Sequence, residues 1–401
     1  MSALCFFSPE KIYHFQKRYA TSAVVITDVK PHQPISAQAL GHSLRPILDG
    51  KVNFPLCLAP MVGLTHVALR LVVRDYLPES AFTIWPTEML NSRRIPGEDL
   101  DKTHSALRAP EESGMVPQIL GNEEKYISES VIKLQAWGAE GIDINMGCPV
   151  QKALKHNYGV ALMGDAGYAA EVVRLTVKHS GVPVSVKLRA GTQADFDYLY
   201  RFVSGLREAG AAWISLHPRT AAQKRRGSAD WEQIRKLRQL VDFPIVGNGD
   251  IQTADDVFEM LSQTQCDLTM AGRALAARPW LLWQVGEKLG FSAPPDAQAK
   301  DLGVLQSDGE SRRAPQSPTE EGAEYGRCLL KLIGLSRHYF GEEQALRKIR
   351  FYVRTTSVWL VFGQTLFGIT CQAKSIVEMM DKVAQFFSQE VEMQARTQLR
   401  E

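Results

Sequence analysis

The sequence has no stretch of about 18 uncharged apolar residues, which excludes a membrane-spanning helix. It has no Cys-x-x-Cys pair and no Cys/His pairing. Its six cysteines (Cys5, Cys57, Cys148, Cys266, Cys328 and Cys371) lie far apart, so a zinc site lacks its ligand spacing, and a chain this long needs no disulfide framework. The thiols are expected to stay free in a reducing compartment, the cytoplasm, with no membrane partner. Charge of one sign is not in excess: 46 Lys+Arg face 44 Asp+Glu, a formal net charge of +2. That argues against a strongly basic nucleic-acid binder overall and leaves local patches open. The N-terminus lacks the basic start and long apolar core of a secretory signal. Apolar residues make up 45% and charged residues 22%, which excludes wholesale disorder. At roughly 100–200 residues per domain, 401 residues allow two or three domains, or one large one with an appendage.

Residues 1–52 read as an extension of unknown role. From residue 53 short apolar, β-branched runs recur: 55–61, 82–89, 116–121, 141–149, 182–191, 212–220, 243–251 and 266–273. Between them lie segments of helical periodicity, several ending in Gly or Gly-Ala, as helices often do. Strands with little polar alternation, separated by helices, predict parallel strands buried on both faces. Eight such units in about 220 residues predict a (β/α)8 TIM barrel over 53–291. A doubly wound open sheet is the alternative, but no Gly-rich phosphate loop follows the first strand. Residues 292–322 contain no aromatic and are crowded with Pro, Ser, Asp and Glu, so they read as a flexible linker. Residues 323–401 return to long amphipathic patterns and predict a small helical bundle.

In a barrel, chemistry sits at the C-terminal ends of the strands. Polar residues cluster there with regularity: Met61 and Gly63, Glu88, Gln118, Asn145 and Cys148, Lys187 and Arg189, His217 and Arg219, Asn248 and Asp250, Gly272 and Arg273. One such residue would be a satisfied loop start; seven or eight strands doing it together predict a single rim site.

The runs APMVGLT (59–65), TEM (87–89), QILG (118–121), INMGCPVQKAL (144–154) and GVALMGD (159–165) resemble a tRNA-dihydrouridine synthase. So do VKLRAG (186–191), HPRT (217–220), GNGDI (247–251) and AGRAL (271–275). The similarity covers roughly residues 53–285. It implies a flavin-dependent barrel with a C-terminal helical RNA-binding domain. Such enzymes reduce the C5–C6 double bond of particular uridines in tRNA, with FMN recharged by NADPH that docks only transiently. Two departures stand out: Thr65-His66 where the family has Thr-Asp, and Pro218 where it has Gly.

The resemblance makes Cys148 the catalytic acid. A thiol with an ordinary pKa near 8.5 is protonated at neutral pH and can donate. It assigns Pro60, Met61, Gln118, Lys187, His217, Asn248, Gly249, Asp250, Gly272 and Arg273 to the cofactor. Lys187 would stabilise the negative charge of the reduced ring. The loops after the last two strands would hold the phosphate, with Asp250 orienting loop amides or the ribityl chain. Glu88, Asn145, Arg189 and Arg219 would meet the substrate, as would Lys224 and Arg225 on the rim. In the tail, Arg347, Arg350 and Arg354 recur at i, i+3, i+7 beside Phe351 and Tyr352, a candidate RNA face for the tRNA partner. A monomer is expected. Two alternatives stand beside this reading: an FMN barrel oxidoreductase acting on a free pyrimidine or enone, and an RNA-binding protein without catalysis.

Overall fold

The structure, a computed structural model, describes residues 42–149, 156–224, 226–298, 302–309 and 311–398. The strands are β1 (Leu56–Leu58), β2 (Trp85–Pro86), β3 (Leu90–Asn91), β4 (Met115–Val116), β5 (Gln118–Leu120), β6 (Ile142–Met146), β7 (Val184–Arg189), β8 (Trp213–His217), β9 (Ile245–Asn248) and β10 (Leu268–Ala271). Helices α1 (Val67–Arg74), α2 (Glu124–Trp137), α3 (Ala166–His179), α4 (Phe196–Glu208), α5 (Trp231–Leu240), α6 (Ala254–Thr264), α7 (Arg273–Ala277) and α8 (Leu281–Lys288) alternate with them. Eight strands form one parallel sheet in the order β1-β10-β9-β8-β7-β6-β5-β3. The seam between the first and second runs is tied by Thr83 Oγ1, which donates to the Leu56 carbonyl at 3.0 Å, and by the Asn53 amide on the Phe82 carbonyl at 3.1 Å. This is the expected (β/α)8 barrel. The second run forms only β2, with β3 starting just past its end, and the third run is split into β4 and β5 at Pro117, whose missing N–H cannot serve a ladder.

Side chains alternate across each strand. Ile144, Val186, Leu188, Ile214 and Leu216 face the helices and join the outer core. Cys57, Trp213, Val246, Leu268 and Met270 form a separate cluster inside the barrel, closed by Ile47 and Leu48. Those last two lie in the segment read as an extension, so its described end belongs to the barrel. Arg45 pins it from the N-terminal rim: its amide donates to Asp267 Oδ1 at 2.7 Å and its guanidinium to the Phe243 carbonyl at 2.8 Å.

The described part of 292–322 is not a free linker. It forms helix α9 (Pro295–Gln298) and an antiparallel hairpin of β11 (Val304–Leu305) and β12 (Arg312–Arg313). Ala297, Leu302 and Ala314 are buried, and the Ala314 amide donates to Glu287 Oε1 at 2.7 Å. A few buried apolar anchors outweigh the polar composition. Helix α10 (Pro318–Thr356) starts inside that segment because Ser317 and Glu320 make a reciprocal cap and Pro318 suits the first turn. It bends at Gly341, whose φ is 71°. Helices α11 (Gly363–Gln372) and α12 (Ile376–Phe386) complete the bundle.

The bundle docks on the barrel through one shared core. Trp280 Nε1 donates to Glu321 at 3.0 Å, Tyr352 Oη donates to the Ala276 carbonyl at 2.9 Å, and Arg278 pairs with Glu321 at 3.0 Å. Among the described residues no helix is long and apolar enough to cross a membrane.

Candidate active site at the barrel mouth

The period of two sets the site. On β6, Asp143 and Asn145 point inward; on β7, Ser185, Lys187 and Arg189; on β8, Ser215 and His217. Register then makes neighbours: Gln118 opposite Asp143, Asp143 opposite Ser185, Asn145 opposite Lys187, and Arg189 opposite His217. Pro60 overlooks a small cavity lined by Asp143, Ser185, Ser215 and Met270.

Cys148 is half-buried, two residues past β6. Its amide donates to Asn145 Oδ1 at 2.9 Å, as does that of Gly147 at 3.1 Å. Arg189 Nε donates to the Gly147 carbonyl at 2.9 Å, and its Nη1 to the Lys224 carbonyl at 2.8 Å. Arg189 therefore staples the Cys148 loop to the loop after β8. Lys224 is exposed at φ 51°, and Arg225 lies outside the described residues.

Lys187 is half-buried and donates to Asn248 Oδ1 at 3.0 Å; Asn248 in turn donates to the Met270 carbonyl at 2.7 Å. Burial, with Arg189 nearby, pulls the Lys187 ammonium down to about 8, and Asp143 partly offsets this. An ammonium has three donors, and this one uses a single protein acceptor. It can take an anionic ring edge without losing a bond.

His217 is held neutral. Burial, then Lys187, Arg189, Arg219 and Arg273, push it down to about 2. Arg219 Nη1 lies 3.1 Å from His217 Nε2. A guanidinium only donates, so Nε2 accepts and Nδ1 carries the proton.

Arg219 is held within the loop after β8. It is 5% exposed and grips Asp250 with one nitrogen at 2.7 and 2.8 Å. Asp250 sits at φ 60° and accepts the Ala229 amide at 2.6 Å. A Cβ on Gly249 would fall 2.8 Å from Ala229, and one on Gly272 would fall 3.1 Å from Met61 Sδ, which draws the last two strand ends against their neighbours. Arg273 opens α7, half-buried and within the charge reach of His217.

Glu88 is also turned inward. It accepts the Gly63 amide at 2.7 Å and meets Lys348 of α10 at 3.4 Å. Lys348 lies over the Phe340 ring at 4.6 Å, and that ring meets His66 edge-on at 5.0 Å. His66 is the departure noted at the first strand. It caps α1 by accepting from Leu69 and gives the bundle an aromatic contact. Gly63 itself is required: φ is 81°, and a Cβ there would fall 2.7 Å from the Phe351 ring. The mouth loop and the bundle thus share a wall, beside an open groove of about 450 Å³ lined by Glu88, Arg94, His104 and Lys348.

The tail arginines separate. Arg347 is exposed and pairs with Glu343; Arg354 is exposed. Arg350 is half-buried and turned to the bundle. Its guanidinium donates to the Thr370 and Ala373 carbonyls at 3.2 and 2.8 Å, closing the C-terminal end of α11.

Residues 57–307 match the family model described as dihydrouridine synthase. The chain belongs to the dihydrouridine synthase family. Among curated relatives, a protein of Mycobacterium tuberculosis named a probable tRNA-dihydrouridine synthase is 30% identical over 339 residues, 82% of this chain and 80% of that one. One of the same name from Rhizobium leguminosarum bv. phaseoli is 32% identical over 247 residues, 62% of this chain and 75% of its own. Several of the strand-end residues lie within the matched span. The match leaves open why Asp143 and Ser185, singled out by no motif, are polar in a buried layer. The period-two step inward from Asn145 and Lys187 was the signal that could have found them.

Proposed function

We propose that this chain is a tRNA-dihydrouridine synthase: a flavoprotein oxidoreductase that reduces the C5–C6 double bond of uridines in tRNA, with FMN bound at the barrel mouth and NADPH as reductant. The observation that carries the reading is the pairing of two groups at adjacent strand ends. Lys187 is a half-buried cation with donors to spare, and Cys148 is a half-exposed thiol on a braced loop.

The residues fit the cofactor. Lys187 Nζ would hold the anionic edge of the ring, and neutral His217 would offer Nδ1–H. Gln118 keeps one N–H and one lone pair after its two protein bonds, enough for a pyrimidine edge. The loops after β9 and β10, with Arg273, would take the phosphate. Bound FMN supplies the hydride at C6. The chain's own part is a proton at C5 from the Cys148 Sγ, with Asn145 and Arg189 keeping the loop in place. The deciding experiment is incubation of the purified, flavin-loaded protein with NADPH and unmodified tRNA, followed by mapping of dihydrouridine. Flavin oxidation without dihydrouridine would point instead to a free pyrimidine or enone as substrate.

For RNA, the exposed pair Arg347 and Arg354 carries the expectation. Replacing both by Gln should weaken tRNA binding and flatten the log–log salt slope by roughly 0.7–0.9 for each phosphate no longer neutralised. Filter-binding titrations across a salt series check this, and an unchanged slope would assign the pair to solvation. Arg350→Gln should behave differently. It should cost about 1–3 kcal/mol of stability, read as a lower thermal midpoint, because two helix-end carbonyls lose a charged donor.

A further inference from the structure

The polar layer below the mouth forms one directed chain of hydrogen bonds. Ser185 Oγ donates to Asp143 Oδ1 at 2.7 Å, and Gln118 Nε2 donates to Asp143 Oδ2 at 2.7 Å. Asn145 Nδ2 donates to Gln118 Oε1 at 2.7 Å. Asn145 Oδ1 then accepts the amides of Gly147 and Cys148. Each direction is forced by chemistry. Backbone N–H groups require the Asn145 oxygen on their side, so its nitrogen faces Gln118. Gln118 must answer with oxygen, so its own nitrogen faces Asp143, and an acceptor is needed there. Asp143, Gln118 and Ser185 are buried, at 7%, 1% and 1% exposure, so bulk solvent does not readily replace a missing partner.

We propose that Asp143 is a positioning residue for Cys148: through Gln118 and Asn145 it holds the Gly147–Cys148 backbone and so aims the thiol. The same Gln118 amide is the one assigned to the pyrimidine edge of the cofactor. One carboxylate therefore sets the orientation of both the cofactor-facing amide and the loop that carries the acid. Its meaning for catalysis rests on the reading of Cys148 given above, but the arrangement itself needs neither flavin nor RNA.

The test uses the full flavin-free chain. Amide exchange by mass spectrometry is read at residues 147 and 148, and iodoacetamide alkylation is read at Cys148, with the exposed and remote Cys371 as internal control. Asp143→Leu removes the acceptor while keeping the same branching and number of heavy atoms. Exchange at 147 and 148 and alkylation of Cys148 should each rise on the order of tenfold, as expected for losing a hydrogen bond in a buried network. Asp143→Asn should stay within about twofold of the parent. Its oxygen can still face Gln118 while its nitrogen donates to Ser185, whose hydroxyl can turn to accept. Gln118→Leu breaks the same chain at its middle link and should match Asp143→Leu; it carries the test alone should the Asp143→Leu protein not fold. Unchanged exchange at 147 and 148 in folded Asp143→Leu or Gln118→Leu protein would overturn the proposal. So would an equal acceleration at Cys371 and in β8, which would mean general loosening. Neither outcome touches the assignment of the acid, which stands or falls with replacement of Cys148 itself.

Discussion

Cys148→Ala should keep its flavin and its oxidation of NADPH while losing about 10²–10⁴-fold in dihydrouridine formation. The loss falls on one step because of where the residue sits. Its backbone is held by Asn145, and its loop by Arg189 through the Gly147 carbonyl, so removing Sγ leaves the loop's bonds intact. Hydride delivery needs no thiol. Protonation at C5 then has only water to draw on. Single-turnover mixing of reduced protein with unmodified tRNA reads the step directly. A slow reoxidation of flavin by tRNA, beside a normal reduction by NADPH, is the expected pair of results. Wild-type dihydrouridine yield would remove Cys148 from the acid role, and loss of bound flavin would make it structural.

The strand ends were legible because a parallel barrel puts its chemistry in one place, and because β-strand spacing carries a polar residue there from almost every run. Lys187, His217 and Asn248 lie where that reasoning put them. The layer beneath was not legible in the same way. Asp143 sits inside GIDIN and Ser185 inside VPVSV, runs whose apolar character suggested burial on both faces. Alternation holds there too, but its inward members are few and small.

The internal contact of Arg350 was hidden for a different reason. At about 100° per residue, Arg354 lies some 20° from Arg347 around the helix, but Arg350 lies about 60° away, enough to reach the end of α11. Spacing shows a shared side of a helix and not which neighbour occupies its edge. The pairing of Glu88 with Lys348 was beyond reach. Their contact joins residues 260 positions apart and depends on how the bundle seats on the mouth. The hairpin at 304–313 hid behind composition, since Ala297, Leu302 and Ala314 are enough to dock a polar segment.

Lys187→Met should divide function from stability. The ammonium sits among Arg189, Asn248 and the barrel wall, and its surroundings pull it from the ordinary lysine range to about 8. Keeping that charge costs the flavin-free protein free energy. In the unfolded chain Lys187 holds its proton up to about 10.4, while in the folded chain it releases it near 8. The unfolded state therefore binds more protons between those values, and parent stability gains a rising contribution from about pH 8 to 10.4. Below pH 8 the penalty is at its full size. Methionine has similar length and no charge, so at pH 7 the flavin-free variant should melt higher than the parent, and the rise with pH attributable to this group should vanish. Function should move the other way. A fixed cation beside a developing anion is worth about 10²–10³ in rate when removed. Reduction of flavin by NADPH should slow by that order, and flavin should be held more weakly. Melting curves of flavin-free protein at pH 7 and 9.5, set beside stopped-flow reduction, read both arms. A variant that melts lower yet reduces its flavin at the parent rate would show that Lys187 is a packing residue, and the anion at the barrel mouth would need another partner.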